Sequence, residues 1–209
     1  MLLDAELRAG LGVALNEAKL LDFVLTPAER ACVAWFEVLT LPPSGPAPAD
    51  RRVQLQLSGV GRLVASVRTT SQQSPDPPGE PFGVDQLSDV VRSFGGQPVY
   101  GWEFFDRDPS AEKTAWMRHP SLDWTSGDLA GSHWMDLFQE EPFGTPAAER
   151  QFDLRVWFER LNVADPAGTP IELAEFVRGG RRWWAALDAG DPRTEGHGIF
   201  PIGTPRPGA

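Results

Sequence analysis

Cysteine occurs once in this chain of 209 residues, at Cys32. No intramolecular disulfide can therefore form, and a cysteine-based zinc site is excluded. Lysine occurs only at Lys19 and Lys113 among nineteen basic residues. That bias toward arginine, together with abundant alanine, glycine and proline, reads as the mark of a GC-rich bacterial genome. Tyrosine occurs once, against eight tryptophans and twelve phenylalanines, so burial is concentrated in a few large rings. One buried Phe contributes roughly 1.5–3 kcal/mol over an exposed one.

Long apolar runs are missing too: none approaches the roughly 18 residues that span a bilayer. The start, MLLDAELRAG, has Asp4 and Glu6 where a signal peptide needs basic residues. The expectation is a soluble, cytoplasmic protein with no membrane partner. Positive charge is short as well. The net charge is −10; residues 1–70 carry seven acidic and seven basic groups, so the whole excess lies in residues 71–209. Nucleic acid as a partner is excluded by this balance, because phosphate backbones reward clustered Lys and Arg.

Nucleotide and hydrolase signatures are also absent. There is no GxxxxGK[ST], no GxGxxG between strand and helix, and no GxSxG elbow. No cofactor is implied. The three histidines, His119, His133 and His197, fall in a loop, a predicted strand and a flexible segment, with no metal-ligand spacing among them. No metal site or catalytic residue is assigned from the sequence.

What is present is alternation. In Gln151–Val163, Phe152, Leu154, Val156 and Phe158 alternate with Asp153, Arg155, Trp157 and Glu159, the period of a strand with one buried face. Leu20–Leu25, Arg52–Leu57 and Arg62–Arg68 read as further strands. Pro98–Asp106 does as well, and its aromatics on both faces predict a central position. Leu122–Thr125 and Ser132–Gln139 complete the set. Thr26–Leu39 has two readings: a helix opened by Thr26-Pro27, or a loop leading into a strand with Cys32, Ala34, Phe36 and Val38 on one face. The density of Val, Trp and Phe favours the strand. Residues 5–25 show two short apolar runs, Leu11–Leu15 and Leu20–Leu25, separated by Asn16-Glu17-Ala18-Lys19, and the second reads as the strand.

Helices are predicted at two places. One has Asp85 as its cap, Leu87, Val90, Val91 and Phe94 on one side, and Gly95-Gly96 at its end. The other opens on the capping box Thr169-Pro170-Ile171-Glu172, is disturbed at Gly179-Gly180 and resumes through Arg181–Asp188. The fold class is thus α+β: a mostly antiparallel sheet of about eight strands with two or three helices, in a single domain over residues 1–202. The Pro-rich stretch 71–83 is a linker or long loop, and 203–209 is a disordered tail.

Ala34-Trp35-Phe36-Glu37 echoes Val156-Trp157-Phe158-Glu159. A duplication with halves at about 1–70 and 96–190 would place the two segments in equivalent strands of one sheet or of two packed sheets.

The candidate binding residues are Glu103, Trp157, Glu159, Arg181, Trp184 and His197. Glu37, Glu103 and Glu159 each stand beside a tryptophan in a strand, where an apolar ring can raise a carboxylate's pKa; pairing to an arginine across the strands is the favoured alternative. In Arg181-Arg182-Trp183-Trp184, one tryptophan packs on the sheet and the other forms a patch with Arg178 or Arg181. Residues 101–141 hold nine acidic groups against three basic ones. The leading expectation is a non-catalytic binding protein with an acidic, aromatic surface for a cationic protein partner or for self-association. The alternatives are a hydrolase with a cleft of Glu103, Glu159 and His197, or a small-molecule binder.

Overall fold

The computed structural model describes residues 3–70, 77–106, 115–127, 131–141, 149–197 and 199. Ten strands form two five-stranded antiparallel sheets, and three helices flank them. Sheet A has the order β1 (Lys19–Thr26), β2 (Ala31–Glu37), β3 (Arg52–Ser58), β9 (Arg160–Ala164), β10 (Pro170–Ile171). Sheet B has the order β5 (Tyr100–Asp106), β7 (His133–Glu140), β8 (Glu149–Phe158), β4 (Arg62–Thr70), β6 (Leu122–Thr125). The helices are α1 (Ala5–Ala14), α2 (Leu87–Ser93) and α3 (Leu173–Asp188).

One bent ribbon joins the sheets. β3 pairs with β9 in sheet A, and their continuations β4 and β8 pair in sheet B. Ser58 faces Arg160 and Arg62 faces Trp157, so Gly59-Val60-Gly61 opposes only Phe158-Glu159: the register gains one residue at the corner, as at a β-bulge. Gly59 holds φ at 68°, and a Cβ there would meet the Glu159 side chain at 2.7 Å. Gln151–Val163 is therefore not one strand but two, divided at Glu159.

The inner faces meet in a single core. Phe23, Ala34, Phe36 and Leu55 from sheet A join Leu63, Phe152, Leu154, Val156 and Phe158 from sheet B, all fully buried. Cys32 also lies inside, and burial pushes its thiol pKa up. A smaller core of Leu39, Leu41, Trp183 and Leu187 sits beside α3.

Cys32–Glu37 is strand, as the density of Val, Trp and Phe favours, and Pro27–Glu29 forms a single 3-10 turn. Other expectations change. The α1 helix, capped by the Asp4 side chain, is not among the expected helices; Gly10 and Gly12 within it each cost about 1 kcal/mol of helix propensity. β5 is an edge strand, not a central one, with α1 packed beside it. Asp85 does not cap α2; it lies in the preceding 3-10 turn, where Gln86 accepts from the Gly83 N–H at 2.8 Å. Thr169 does not cap α3, because Pro170-Ile171 pairs with β9, and the helix begins after Glu172. Gly179-Gly180 does not interrupt α3: a Cβ on Gly180 would lie 2.5 Å from the Ala14 Cα and one on Gly179 would meet the Thr40 hydroxyl, so Gly180 lets α3 press against α1 and Gly179 lets it press against the segment at Thr40. Trp183 packs in the smaller core rather than on a sheet. Residues 71–76 of the expected linker and the 203–209 tail lie outside the described residues.

In chain order, β1, β2 and β3 lie side by side and β4 crosses to the other sheet; β5, β7 and β8 lie side by side and β9 crosses back. That order matches β2 with β7 and β3 with β8, whereas the WFE echo falls on β2 and β8.

Candidate binding face

The side chains of sheet B on the face turned away from the shared core form cross-strand rows, and Val64, Ser66, Arg68, Trp134, Asp153 and Arg155 among them are buried. Directly paired residues of an antiparallel sheet share a face, so the registers place Phe105, Trp134, Trp157, Arg62 and Thr125 in one row, one from each strand. The next row is Glu103, Asp136, Arg155, Val64 and Asp123. Phe138, Asp153 and Ser66 follow, then Glu140, Gln151 and Arg68, and Glu149 faces Thr70.

Three arginines tie this lattice together. Arg155 binds Asp136 through two hydrogen bonds of 2.6 Å, and its guanidinium lies 5.0 Å from the Trp134 ring and 5.8 Å from Trp157. Arg62 grips Asp123 at 2.9 and 2.6 Å, and its guanidinium lies over the Trp157 ring, 5.2 Å from the centroid. Arg68 donates to Asp153 at 2.5 Å. Planar guanidinium explains the choice of arginine, since it stacks on aromatics while forking to a carboxylate. Trp134 is buried beside Phe105, and its indole N–H has no acceptor among the described residues.

Of the sequence-predicted residues, Glu103 and Trp157 belong to this face. Glu103 is exposed, and Trp157 is half-buried between Trp134 and Arg62. Glu159 stands at the ribbon corner and accepts from the Ser132 hydroxyl at 2.8 Å. Arg181 is exposed on α3, 3.9 Å from Glu6, beside a cleft of about 520 Å³ at the N-terminal ends of α1 and α3. Trp184 donates its indole N–H to the Val13 carbonyl at 3.1 Å and stacks edge-on against Trp183.

His197 lies elsewhere, at the end of sheet A. One Arg51 guanidinium nitrogen lies 2.5 Å from Nδ1 and 3.2 Å from Nε2 of its ring, and the other donates to Glu37 at 2.5 Å. A guanidinium can only donate, so the nearer Nδ1 is the acceptor in the neutral ring. Burial, then the Arg51 charge, holds the His197 pKa below its ordinary value, with Glu37 opposing. These groups line a cavity of about 300 Å³ with Lys19 and the apolar Leu39, Pro98 and Ile199. Neither Glu103 nor Glu159 lines it, so the structure does not assemble the cleft that a hydrolase would draw from the three.

His133 is buried and bonds through Nδ1 to Asp106 at 3.0 Å. Arg8, more than His133, holds the Asp106 carboxyl below the usual carboxylate range. No cluster of three potential metal ligands occurs among the described residues, and no helix among them is long and apolar enough to cross a membrane.

Phe105, Trp134, Asp136, Arg155 and Arg62 were not singled out from the sequence. Alternation showed which residues of each strand share a face, but not which strands adjoin. Comparison with protein-family models, curated proteins and solved structures gives no match.

Proposed function

We propose that this protein is a non-catalytic binding protein that takes a cationic protein partner on the outer face of sheet B. One observation carries the reading: a row of Phe105, Trp134, Trp157 and Arg62 runs beside rows rich in carboxylates. Counted across the face, Glu103, Asp123, Asp136, Glu140, Glu149 and Asp153 stand against Arg62, Arg68 and Arg155. The arginines pair with the three aspartates. The surplus charge therefore rests on Glu103, Glu140 and Glu149, which form no salt bridge among the described residues. Lys and Arg side chains of a partner gain from those glutamates and from the aromatic faces beside them. The net charge of −10 adds a long-range attraction of the same sign.

The test is capture from a lysate of the protein's own cells at about 0.15 M salt, where the screening length is about 8 Å, followed by mass spectrometry. The expected result is a basic protein retained by the native chain and by W35A on sheet A. It is lost from W157A and from the triple variant E103Q/E140Q/E149Q. Failure to retain a basic protein, or equal retention by the triple variant, overturns the reading.

A further inference from the structure

The cavity at the end of sheet A is built around an unusual backbone. Glu17, in the turn between α1 and β1, holds φ at 59°, one of two non-glycine residues with positive φ among those described. The turn is closed by Asn16 N–H to Val13 O and Ala18 N–H to Leu15 O. Left-handed backbone is disfavoured for a residue with a Cβ, and glycine would relieve it. A glutamate stands there nonetheless, and it lines the cavity. Strain of this kind collects where a side chain has a task.

The charged groups around the cavity are unequally engaged. Arg51 is committed to Glu37 and His197. Lys19 is held loosely, 3.8 Å from Glu37, with its side chain 46% exposed. Glu17 has no salt bridge or side-chain hydrogen bond among the described residues. One unengaged carboxylate and one loosely held ammonium thus share a cavity of about 300 Å³, at the small end of the range for ligand sites.

We propose that this cavity binds a small zwitterion of α-amino-acid size, its carboxylate toward Lys19 and its ammonium toward Glu17. Lys19 and Arg51 balance Glu17 and Glu37, so a ligand of no net charge preserves the balance. A simple anion or cation would leave one charge desolvated without a partner. The site is separate from the face of sheet B, and its failure would leave that reading intact.

The probe is L-alanine, titrated into isotope-labelled full-length protein and read at the His197 ring. H197Q distinguishes that signal from those of the other two histidines. The expected result is a saturable shift, with affinity weakened about tenfold or more in E17Q by loss of a charge-assisted hydrogen bond. Acetate and methylammonium, the two halves of the zwitterion, shift the ring only at far higher concentrations. E17G raises the thermal midpoint while losing L-alanine, which separates the strain from the binding role. No saturable shift, unchanged affinity in E17Q, or acetate binding as tightly as L-alanine overturns the proposal.

Discussion

The two sheets have the same inner face and opposite outer ones. Sheet A sets β1, β2 and β3 side by side and takes β9 as its fourth strand; sheet B sets β5, β7 and β8 side by side and takes β4 as its fourth, with β6 beyond it. Each buries a phenylalanine of the same three-letter segment, Phe36 or Phe158. On the outside the likeness ends. Trp35 lies between Asp22 and Gln54, amid Val24, Val33 and Gln56, with no second aromatic among the paired residues of its face, and the carboxylates Asp22 and Glu37 there pair with Arg92 and Arg51 from outside the strands. Trp157 lies between Trp134 and Arg62, within a lattice of aromatics and ion pairs. Identical letters acquire different chemistry from their cross-strand neighbours.

The inner faces set the largest expected effects. F36A and F158A each remove a fully buried ring from the shared core, and each is expected to cost about 3–5 kcal/mol. Urea denaturation should find the two losses within about 1 kcal/mol of each other. A much smaller loss for one would mean that its sheet contributes a lesser part of the core.

The outer faces should then separate. In R155A the buried partner of Asp136 and the contacts with two tryptophans disappear together. A loss of about 2–4 kcal/mol follows from stranding a largely buried carboxylate. The matching change on sheet A, R52A, removes an exposed pair with Asp50 and should leave the urea midpoint where it was. Equal effects would erase the distinction between a built face and a solvated one. A smaller loss, about 1–2 kcal/mol, is expected of G59A at the ribbon corner, where the left-handed backbone and the Glu159 side chain both oppose a Cβ. G45A, also at positive φ but with open space around it, measures the backbone part alone.

Much of this architecture was legible as periodicity. Phe152, Leu154, Val156 and Phe158 announce a buried strand face whichever strands adjoin it, because alternation is a property of one strand. Pairing is not. That β5 is an edge strand, or that Arg155 meets Asp136, depends on register between segments far apart in sequence. The capping box at Thr169 shows the same limit from the other side: local helix chemistry yielded to pairing of Pro170-Ile171 with β9. His197 was legible as a candidate, yet Arg51 and Lys19 were not. Arg51 reaches the cavity only because the Pro-rich connection returns the chain to Val38, whose N–H bonds to the Arg51 carbonyl at 3.0 Å.

The glutamates that end the two WFE segments give the finest contrast. Glu159 meets a neutral hydroxyl, that of Ser132, whereas Glu37 meets an arginine that also binds a titratable ring. The His197 pKa is depressed in the folded chain, so between that value and the unfolded value near 6.5 the unfolded chain binds more protons. Stability is then fully present above about pH 6.5 and is lost as pH falls through the folded value. Protonation would also remove the acceptor at Nδ1 and set a second cation against Arg51. Lys19 opposes the charged ring as well, and Glu37 alone favours it. Urea midpoints taken from pH 7.5 down to 5 should therefore fall more steeply for the native chain than for H197Q, which can still accept from Arg51 but cannot gain a proton. S132A, altering the corresponding end of the other segment, should leave the native slope unchanged. Parallel slopes for the native chain and H197Q would show that Glu37 offsets burial, Arg51 and Lys19 together, and the contrast between the two WFE ends would carry no pH dependence.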